Sequence, residues 1–349
     1  MGHSVHPNRR TFSATSALCA VAVAAPRVWA QAKPQHKRIT IAVQDKAGFD
    51  NLPLIIAEQL GYFKDEGLNL EILDFLGSSN AMQAVSTGAA DVLSGAYEQT
   101  LVQQSRGKFC QAFVVQGRAP GISVGVSART LPFYQTIADL RGKRIGVCAL
   151  NSPAHTVARM VLWRAGIPLS QVSFPVVATH REAIEALRAG QIDALSHGDP
   201  VMTELEQKNE IRIIADTRTL GGTVDVFGGP MPAGCLYAPP EYILRNAVTV
   251  QAVTDAMVHS LKWLQTAGPR DIVKTVPEVY LRGEPALYLS AFNRLRQSIS
   301  FDGVMAQDGP LTALKALARF DPNLRADRID LSRTYTNEFA LKAKARFAA

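Results

Sequence analysis

The sequence lacks the signatures of the common catalytic and metal-binding motifs. It contains no glycine-rich dinucleotide or phosphate loop, no His-Glu-x-x-His, no Cys-x-x-Cys and no Gly-x-Ser-x-Gly. Aromatic residues make up only 7% of its 349 residues, and basic clusters such as Lys37-Arg38 and Arg141 to Arg144 have no aromatic residues between them. Because nucleic-acid tracks combine basic side chains with stacking aromatics, these clusters indicate solvated surfaces. We therefore expect no cofactor, no metal site and no nucleic-acid partner.

Cysteine is also scarce. The chain has four, and three of them, Cys110, Cys148 and Cys235, lie in apolar strand-like runs. Three cysteines cannot all pair, and single cysteines in such runs are usually small buried hydrophobes. A disulfide framework is not expected. Cys148, near the end of its strand, is the one conceivable cysteine nucleophile, and a core role is favoured for it.

Long apolar runs are missing, and the run nearest the amino terminus, 13–25, is too short to span a bilayer. It follows Asn8-Arg9-Arg10-Thr11-Phe12 and precedes the small-residue pattern Ala30-Gln31-Ala32. This order is typical of an export signal, and the paired arginines resemble a twin-arginine signal. We predict that residues 1–32 are a signal peptide cleaved near Ala32 and that the protein is periplasmic. Its removal lowers the net charge from +7 to +4.

After the signal, strand and helix patterns alternate. The β-branched run 38–43 predicts a buried strand, and Pro53 and Gly61 mark the start and the end of a helix. A second strand is predicted at 70–75, a second helix ending at Gly88, and a third strand from Asp91. This order favours a parallel sheet with crossover helices.

The same plan returns about a hundred residues later. Lys37–Ile41 corresponds to Lys143–Val147, and Ala84–Leu93 corresponds to Ala186–Leu195. Chance similarity between generic units is the alternative, but the repeat favours two similar α/β lobes. The predicted division is 37–120 for the first part of lobe 1, 126–228 for lobe 2, and 233–349 for the return to lobe 1 and the C-terminal helices.

Irregular stretches are expected at 116–125 and 219–240, where the chain would cross between the lobes. After Pro240 the pattern is mainly helical, with helices predicted at 248–266 and 287–298 and then a polar, basic tail. We expect these helices to pack on the first lobe.

Ligands of open α/β sheets bind beyond the carboxyl ends of the strands. The candidate loops are 44–51, 77–80, 95–98, 151–155 and 197–200. Two of them, Gly77–Asn80 and Asn151–Pro153, are polar turns that each open a helix. Free backbone N–H groups and hydroxyl donors make such a turn a cradle for an anion, although ordinary helix capping explains either turn without a ligand.

Further segments form an ordered set: Gly61–Leu68, Gly77–Asp91, Asp139–Val147 and Ala183–Asp193. In this order they resemble the nitrate/sulfonate/taurine solute-binding family, which includes a thiamine-precursor (NMT1/THI5-like) branch. The resemblance runs from about residue 38 to 280. It implies a type II periplasmic binding protein fold, with two similar lobes, a ligand cleft between them and two crossing hinge segments. It also implies delivery of a small-molecule solute to an ABC permease and ATPase complex in the inner membrane.

We expect the lobes to close on the solute as a hinge. Ser78 to Asn80 would hold a polar or anionic end, and Phe49 and Tyr97 would flank the ligand body. On closure, Ser152, His155 and Asp199 would complete the site. The expected ligand-binding residues are Gln44, Phe49, Ser78, Ser79, Asn80, Tyr97, Glu98, Asn151, Ser152, His155 and Asp199.

The expected solute is a sulfonate, taurine, nitrate or a similar small molecule. The carboxylates of Glu98 and Asp199 would repel a sulfonate, but they suit an amine such as that of taurine, or a pyrimidine with ring N–H donors. A thiamine-precursor pyrimidine is therefore an alternative. The missing cysteines in the loop 44–51 and the missing cysteine cluster argue against the enzymatic branches of the superfamily.

Two other functions stay open. One is a periplasmic enzyme that uses His155 or His197 as a base, although neither has an identifiable acid or nucleophile partner. The other is a sensor module that feeds a membrane receptor. A monomer is expected from the fold.

Overall fold

The computed structural model describes residues 1–4, 37–75 and 77–349. Residues 1–4 form no helix or strand, and the compact unit Lys33–Ala349 contains all the helices and strands given below. The predicted signal peptide, with its paired arginines and its cleavage site, lies outside the described residues apart from residues 1–4. In the described ranges, no helix combines the length and the apolar character needed to cross a bilayer.

The strands form two separate sheets. In chain order they are β1 (Lys37–Gln44), β2 (Leu68–Phe75), β3 (Val92–Ala96), β4 (Gln111–Val115), β5 (Ile122–Ser127), β6 (Ile145–Val147), β7 (Ala194–Gly198), β8 (Ile211–Asp216) and β9 (Gly234–Ala238). The first sheet has the order β2-β1-β3-β9-β4, with β1, β2 and β3 parallel and β9 antiparallel to its neighbours. The second has the order β6-β7-β5-β8, with β6 and β7 parallel and β5 antiparallel to its neighbours. We call the first sheet, together with the helices that cover it, the first lobe. The second sheet and its helices are the second lobe.

Helices cover both sheets. In chain order the α-helices are α1 (Leu52–Gln59), α2 (Tyr62–Asp65), α3 (Ser78–Ser86), α4 (Glu98–Ser105), α5 (Pro153–Arg164), α6 (His180–Ala189), α7 (Val201–Gln207), α8 (Leu220–Phe227), α9 (Pro240–Arg245), α10 (Ala247–Thr266), α11 (Pro269–Thr275), α12 (Glu278–Leu281), α13 (Pro285–Leu295), α14 (Gly309–Phe320) and α15 (Glu338–Phe347). Short 3-10 helices occur at Phe49–Asn51, Ile137–Leu140, Leu169–Gln171, Ala326–Arg328 and Leu331–Arg333.

Local sequence signals account for several helix starts. Ser152 caps α5, where its hydroxyl accepts a hydrogen bond from the His155 amide at 3.2 Å and Pro153 occupies the first helical position. At α6 the Thr179-x-x-Glu182 spacing forms a capping box, because the Thr179 hydroxyl accepts from the Glu182 amide at 3.1 Å and the Glu182 carboxylate accepts from the Thr179 amide at 3.2 Å.

The two lobes repeat one hydrogen-bonding arrangement, as the repeated sequence predicts. The Asp91 carboxylate accepts from the Thr40 amide at 2.9 Å, and the Asp193 carboxylate accepts from the Arg144 amide at 3.0 Å. In both lobes the aspartate amide also donates to the carbonyl of that same residue, and a left-handed glycine lies three residues earlier. Asp91 therefore attaches the start of β3 to the neighbouring strand β1, and Asp193 attaches the start of β7 to the neighbouring strand β6.

The chain crosses between the sheets twice, at 116–121 and at 228–233. The two crossing segments lie side by side, because the Ala233 amide donates to the Gly117 carbonyl at 2.8 Å and the Gln116 amide to the Gly234 carbonyl at 2.8 Å. Both predicted irregular stretches are longer than these segments. Residues 122–125 belong to β5.

The stretch predicted as irregular from Thr219 also contains a helix. The Thr219 hydroxyl caps α8 by accepting from the Gly222 amide at 3.1 Å. Only glycine fits at position 222, because a Cβ there would lie 1.9 Å from the Asp216 carbonyl oxygen. Gly222 therefore permits a tight helix start instead of breaking the chain.

The C-terminal segment differs from the predicted polar tail. It forms α14 and α15, and α15 buries Phe339, Ala340 and Ala343 and packs against α10. As expected, α10 packs on the first lobe, against α1 and β4. By contrast, α13 contacts α7, and α14 contacts both α4 and α5, so these two helices touch the second lobe as well.

Candidate functional site

Two residues from different lobes, Asp45 just after β1 and His197 within β7, lie near enough for their charges to interact. Asp45 follows β1, and the charge of His197 in β7 acts on its carboxyl. Burial raises the pKa of Asp45, while Arg282 and His197 partly offset this effect. Burial lowers the pKa of His197, while Asp199 and Asp45 oppose the shift. The carboxyl ends of strands from both sheets therefore border one candidate cleft.

The first lobe contributes an acidic wall to this cleft. Glu98, the first residue of α4, is only 7% exposed, and burial together with the charge of Asp50 raises its pKa to about 7. Asp50 is reached by solvent and yet is surrounded by protein, as expected inside a cleft. Burial and Asp45 raise the pKa of Asp50 to about 6. Near neutral pH these carboxyls are therefore protonated to a greater extent than carboxyls with ordinary pKa values.

A buried hydrogen-bonded relay lies beside this wall. The Asn51 amide nitrogen donates to the carbonyls of Gln44 and Asp45 at 3.0 and 3.1 Å. The Ser94 hydroxyl lies 2.6 Å from the Asn51 side-chain oxygen, and the Gln116 amide nitrogen lies 2.8 Å from the Ser94 hydroxyl. The relay joins the loop after β1, the strand β3 and the first crossing segment.

Sequence reasoning missed this relay. Ser94 was detectable as a polar residue within an apolar strand, but Gln116 is 22 residues away, and nothing in the sequence joins the two.

The remaining predicted residues of the first lobe have different surroundings. Gln44 is exposed at the end of β1, while the ring of Phe49 stacks on Tyr288 with 4.7 Å between centroids. Ser78 and Ser79 are exposed at the start of α3, where Gly77, with a φ of 87°, precedes them as the N-cap. Asn80 is also exposed, in the same turn. Because the N-cap has no side chain, no side-chain cap bonds the first turn of α3, and the Asn80 amide donates to the Gly77 carbonyl at 3.2 Å.

Tyr97 does not border the cleft. Its side chain is fully buried in the first lobe, and its hydroxyl lies 2.6 Å from the Thr334 hydroxyl. Thr334 directs its own proton to the Leu331 carbonyl at 2.6 Å, so Tyr97 is the donor of the pair. The prediction that Tyr97 flanks a ligand is wrong because the ring faces the C-terminal segment.

Asp199 is also committed to the protein. Its carboxylate is buried, pairs with Arg218 at 3.3 Å and accepts from the Thr203 amide at 2.8 Å. Arg218 is bonded as well to Asp216 at 2.7 Å. The predicted ligand contact of Asp199 is therefore not available, and its charge is neutralised within the second lobe.

Polar groups of the turn 151–155 form hydrogen bonds with one another. The Asn151 amide donates to His155 Nδ1 at 2.9 Å, and the imidazole packs edge-on against Phe174 at 4.6 Å. Burial and the nearby Arg159 lower the pKa of His155 to about 4. Because Nδ1 accepts a hydrogen bond, Nε2 carries the proton of the neutral ring. This geometry argues against His155 as a general base. Asn151 itself is exposed, and Ser152 is half-buried.

Two histidines of the second lobe meet an arginine from the loop after α12, a helix whose Leu281 packs with α1 and α10 of the first lobe. His197 packs edge-on against His180 with 5.4 Å between centroids, and His180 contacts the Arg282 guanidinium. Burial and the charges of His197 and Arg282 lower the pKa of His180 to about 4. No local pattern pointed to Arg282, which belongs to the loop after α12.

Metal ligation and cysteine chemistry find no support in the described ranges. Within them, three or more His, Cys, Asp or Glu side chains nowhere gather as metal ligands would. Cys110, Cys148 and Cys235 are unpaired, with Cys110 and Cys235 buried as expected and Cys148 half-buried. A groove of about 480 Å³ is lined by α5, β8 and α8, so it belongs to the second lobe alone and not to the cleft.

Two α/β lobes, two crossing segments and a cleft at the carboxyl ends of the strands define a type II periplasmic binding protein fold. The sequence matches the family described as NMT1/THI5 like over residues 49–267, so the chain belongs to that family.

A solved structure from Bordetella bronchiseptica RB50 is 49% identical, covers 89% of this chain and 98% of its own, and has a TM-score of 0.82. The alkanesulfonate-binding protein SsuA of Xanthomonas axonopodis pv. citri, solved bound to MOPS, is 18% identical, with 87% and 99% covered and a TM-score of 0.66. A protein of Escherichia coli K12 named as an aliphatic sulfonates-binding protein is 22% identical over 181 residues, or 52% of this chain. That alignment spans about half of the E. coli protein, 53%.

Proposed function

We propose that the protein is the periplasmic solute-binding component of an ABC importer and passes a small polar or anionic solute to a permease and ATPase complex. The observation that carries this proposal is the division of the chain into two α/β lobes joined by two crossing segments, with Asp45 of one lobe and His197 of the other near enough for their charges to interact. The similarity to sulfonate-binding proteins supports the solute class.

In the proposed mechanism the solute binds one lobe first and the other lobe closes on it. Hinge motion would be absorbed by the paired crossing segments 116–121 and 228–233. Ser78 and Ser79 would donate hydrogen bonds to a polar or anionic group at the start of α3, since their hydroxyls are exposed there. On the second lobe, His197 and His180 would meet the solute, and Arg282 of the loop after α12 contacts His180.

We propose binding without turnover. His155 has its Nδ1 occupied by the Asn151 amide, and the His197 Nδ1 lies 3.1 Å from the Gly198 carbonyl oxygen. Neither ring therefore resembles a base oriented by an acid. Recovery of unchanged solute from the protein would agree with this proposal, and a converted product would contradict it.

The experiment is a thermal-shift and calorimetric panel on the purified protein without its signal segment. Taurine, ethanesulfonate, nitrate, acetate and aminopyrimidines are titrated, and a true ligand raises the melting temperature according to its concentration relative to Kd. Small-angle scattering with and without the ligand measures closure. A Ser78→Ala/Ser79→Ala variant is compared with Ser105→Ala at the end of α4. No shift across the whole panel would overturn the proposed solute class.

A further inference from the structure

The helices α12 and α13 are attached to the first lobe by an apolar face. Leu281, Tyr288 and Phe292 are buried in one cluster with residues of α1 and α10. Tyr288 also stacks on Phe49, with 4.7 Å between ring centroids. Because burial of apolar surface is the main stabilising term in packing, we expect these two helices to move with the first lobe.

The other face of α13 meets the second lobe through polar side chains. The Ser290 hydroxyl accepts a hydrogen bond of 2.7 Å from the Gln207 side-chain amide, and Arg294, one turn further along the helix, pairs with Glu206. Gln207 is exposed, and the other three residues are half-buried. Solvent competes for such pairs and each stabilises little, so these contacts can separate while the apolar face stays packed.

Arg282 makes a third contact with the second lobe. It follows α12 in a left-handed turn, with a φ of 52° at Arg282 and 74° at Gly283, and this conformation is strained for a non-glycine residue. Its guanidinium contacts His180 Nδ1, which must be the acceptor because arginine has only donors. His180 begins α6, and its ring packs on His197 near the carboxyl end of β7. The contact therefore lies on the cleft side of the second lobe.

The contacts of this segment lie at different distances from the hinge. After α13 the chain runs beside the first crossing segment, where the Arg118 amide donates to the Ser298 carbonyl at 2.8 Å. Arg294, in the last turn of α13, is therefore close to the hinge, whereas Arg282 lies before the other end of that helix. A rotation about the crossing segments moves Arg282 furthest from the second lobe and Arg294 least.

A second bridge between the lobes is apolar. Ala313 and Leu314 of α14 are buried with residues of the first lobe, and Ala316 is buried with Val157 and Val161 of α5 in the second lobe. Apolar surface that is buried against both lobes does not separate without cost. We expect this bridge to stay joined while the polar contacts beside α13 separate.

We propose that the contact of Arg282 with His180 is a latch between the lobes, that it must break when the cleft opens, and that α13 is the strap that carries it. The latch favours the lobe arrangement of this structure in the protein without solute. A contact shifts an equilibrium only if it differs between the two states, so Arg282 biases closure, whereas Arg294, whose contact persists on rotation, biases it little. The inference rests on the proposed hinge motion but not on the identity of the solute.

Small-angle scattering on the purified protein, stripped of solute by unfolding and refolding, measures the separation of the lobes. Arg282→Met removes the donors and keeps a long side chain. Its radius of gyration should rise by about 1 Å on the roughly 20 Å of a compact chain of this length. Arg294→Met, at the hinge end of the strap, should show less than about half of that rise.

The control is Arg245→Met, because Arg245 is an exposed arginine of α9 in the first lobe, and it should keep the parental radius. No expansion in Arg282→Met, or an equal expansion in Arg245→Met, would overturn the latch. Either result would leave the importer proposal standing, since no solute enters the measurement. Far-UV circular dichroism identical to that of the parent separates lobe opening from unfolding.

A double-mutant cycle shows whether Arg282 and His180 act through each other. His180→Phe removes the acceptor but keeps a ring against His197, so it should expand the protein as Arg282→Met does. The variant that carries both changes should expand no further, because both changes break the same contact. Expansions that add in the double variant would mean that the two residues act separately, and the latch would be contradicted.

Discussion

Arg218 holds the Asp199 carboxylate inside the second lobe, with 3.3 Å between Nη1 and Oδ2 and both side chains buried. Asp216, at 2.7 Å, and Glu206, at 3.5 Å, share the same guanidinium. The acidic character of the cleft therefore comes from the first lobe, from Asp45, Asp50 and Glu98, and not from a carboxylate on each side.

Replacing Asp199 should harm the fold before it harms binding. In Asp199→Ala the Arg218 charge loses a buried partner, and we expect the free energy of unfolding in urea to fall by about 3 kcal/mol. The control is Asp225→Ala on α8, an exposed residue whose loss should change stability by less than about 0.5 kcal/mol. A stable Asp199→Ala protein with weakened solute affinity would restore the ligand role that the sequence predicted.

Tyr97→Phe separates the core role of this residue from a role in the cleft. The change removes one buried hydroxyl donor but keeps the ring, so stability should fall by about 1 kcal/mol while solute affinity stays unchanged. Thr334→Val in the same background measures the coupling, because Thr334 is the acceptor. An affinity loss in Tyr97→Phe at unchanged stability would speak against the core placement.

Much of the fold could be predicted because its signals are local. The run that forms β1 is apolar and β-branched, the start of α6 carries a capping box, and Asp91 and Asp193 repeat in equivalent positions. Each of these features depends on residues that lie close together in sequence or repeat at a fixed spacing. α8 was missed because its paired glycines indicate a break unless the close approach of the Asp216 carbonyl is known.

The candidate site could be predicted only as a set of loops. Which side chains face the cleft depends on contacts between distant segments. Arg218 pairs with Asp199, Thr334 accepts from Tyr97, and Gln116 donates to Ser94. A polar residue in a loop can point into a cleft or into the core, and local sequence does not distinguish the two. Loop position therefore placed Asp199 in the site and left out Gln116 and Arg282.

Glu98 should make the stability of the solute-free protein depend on pH. Its pKa rises from 4.5 to about 7 on folding, so the folded state holds a proton that the unfolded state releases between these values. The free energy of unfolding therefore falls as pH rises from 4.5 to 7, by up to about 3 kcal/mol for this group. Asp50 acts in the same direction, since its pKa is raised to about 6.

Urea denaturation of the parent and of Glu98→Gln at pH 5 and pH 8 measures this effect. The variant should lose less stability between the two pH values than the parent does. Glu278→Gln, at an exposed position in α12, is the control and should follow the parent. Parallel pH profiles for the parent and Glu98→Gln would show that Glu98 is not buried as described.

The repeated aspartates offer a comparison between the two lobes. The Asp91 carboxylate accepts from the Thr40 amide, whereas the Asp193 carboxylate accepts from the Arg144 amide and also accepts two guanidinium hydrogen bonds of 2.9 Å. The guanidinium of Arg144 lowers the pKa of Asp193, so its stabilising contribution is present above the unfolded pKa and is lost as pH falls through the folded one.

We expect Asp193→Ala to lower the free energy of unfolding by about 3 kcal/mol and Asp91→Ala by about 1.5 kcal/mol, because charged hydrogen bonds contribute more when several converge. Asp193→Asn should recover part of the loss, since its side-chain oxygen still accepts the Arg144 amide. The measurement is urea denaturation at pH 7. If Asp91→Ala proved the more damaging change, strand attachment in the first lobe would depend on more than this shared bond, and the two lobes would differ in how the repeat stabilises them.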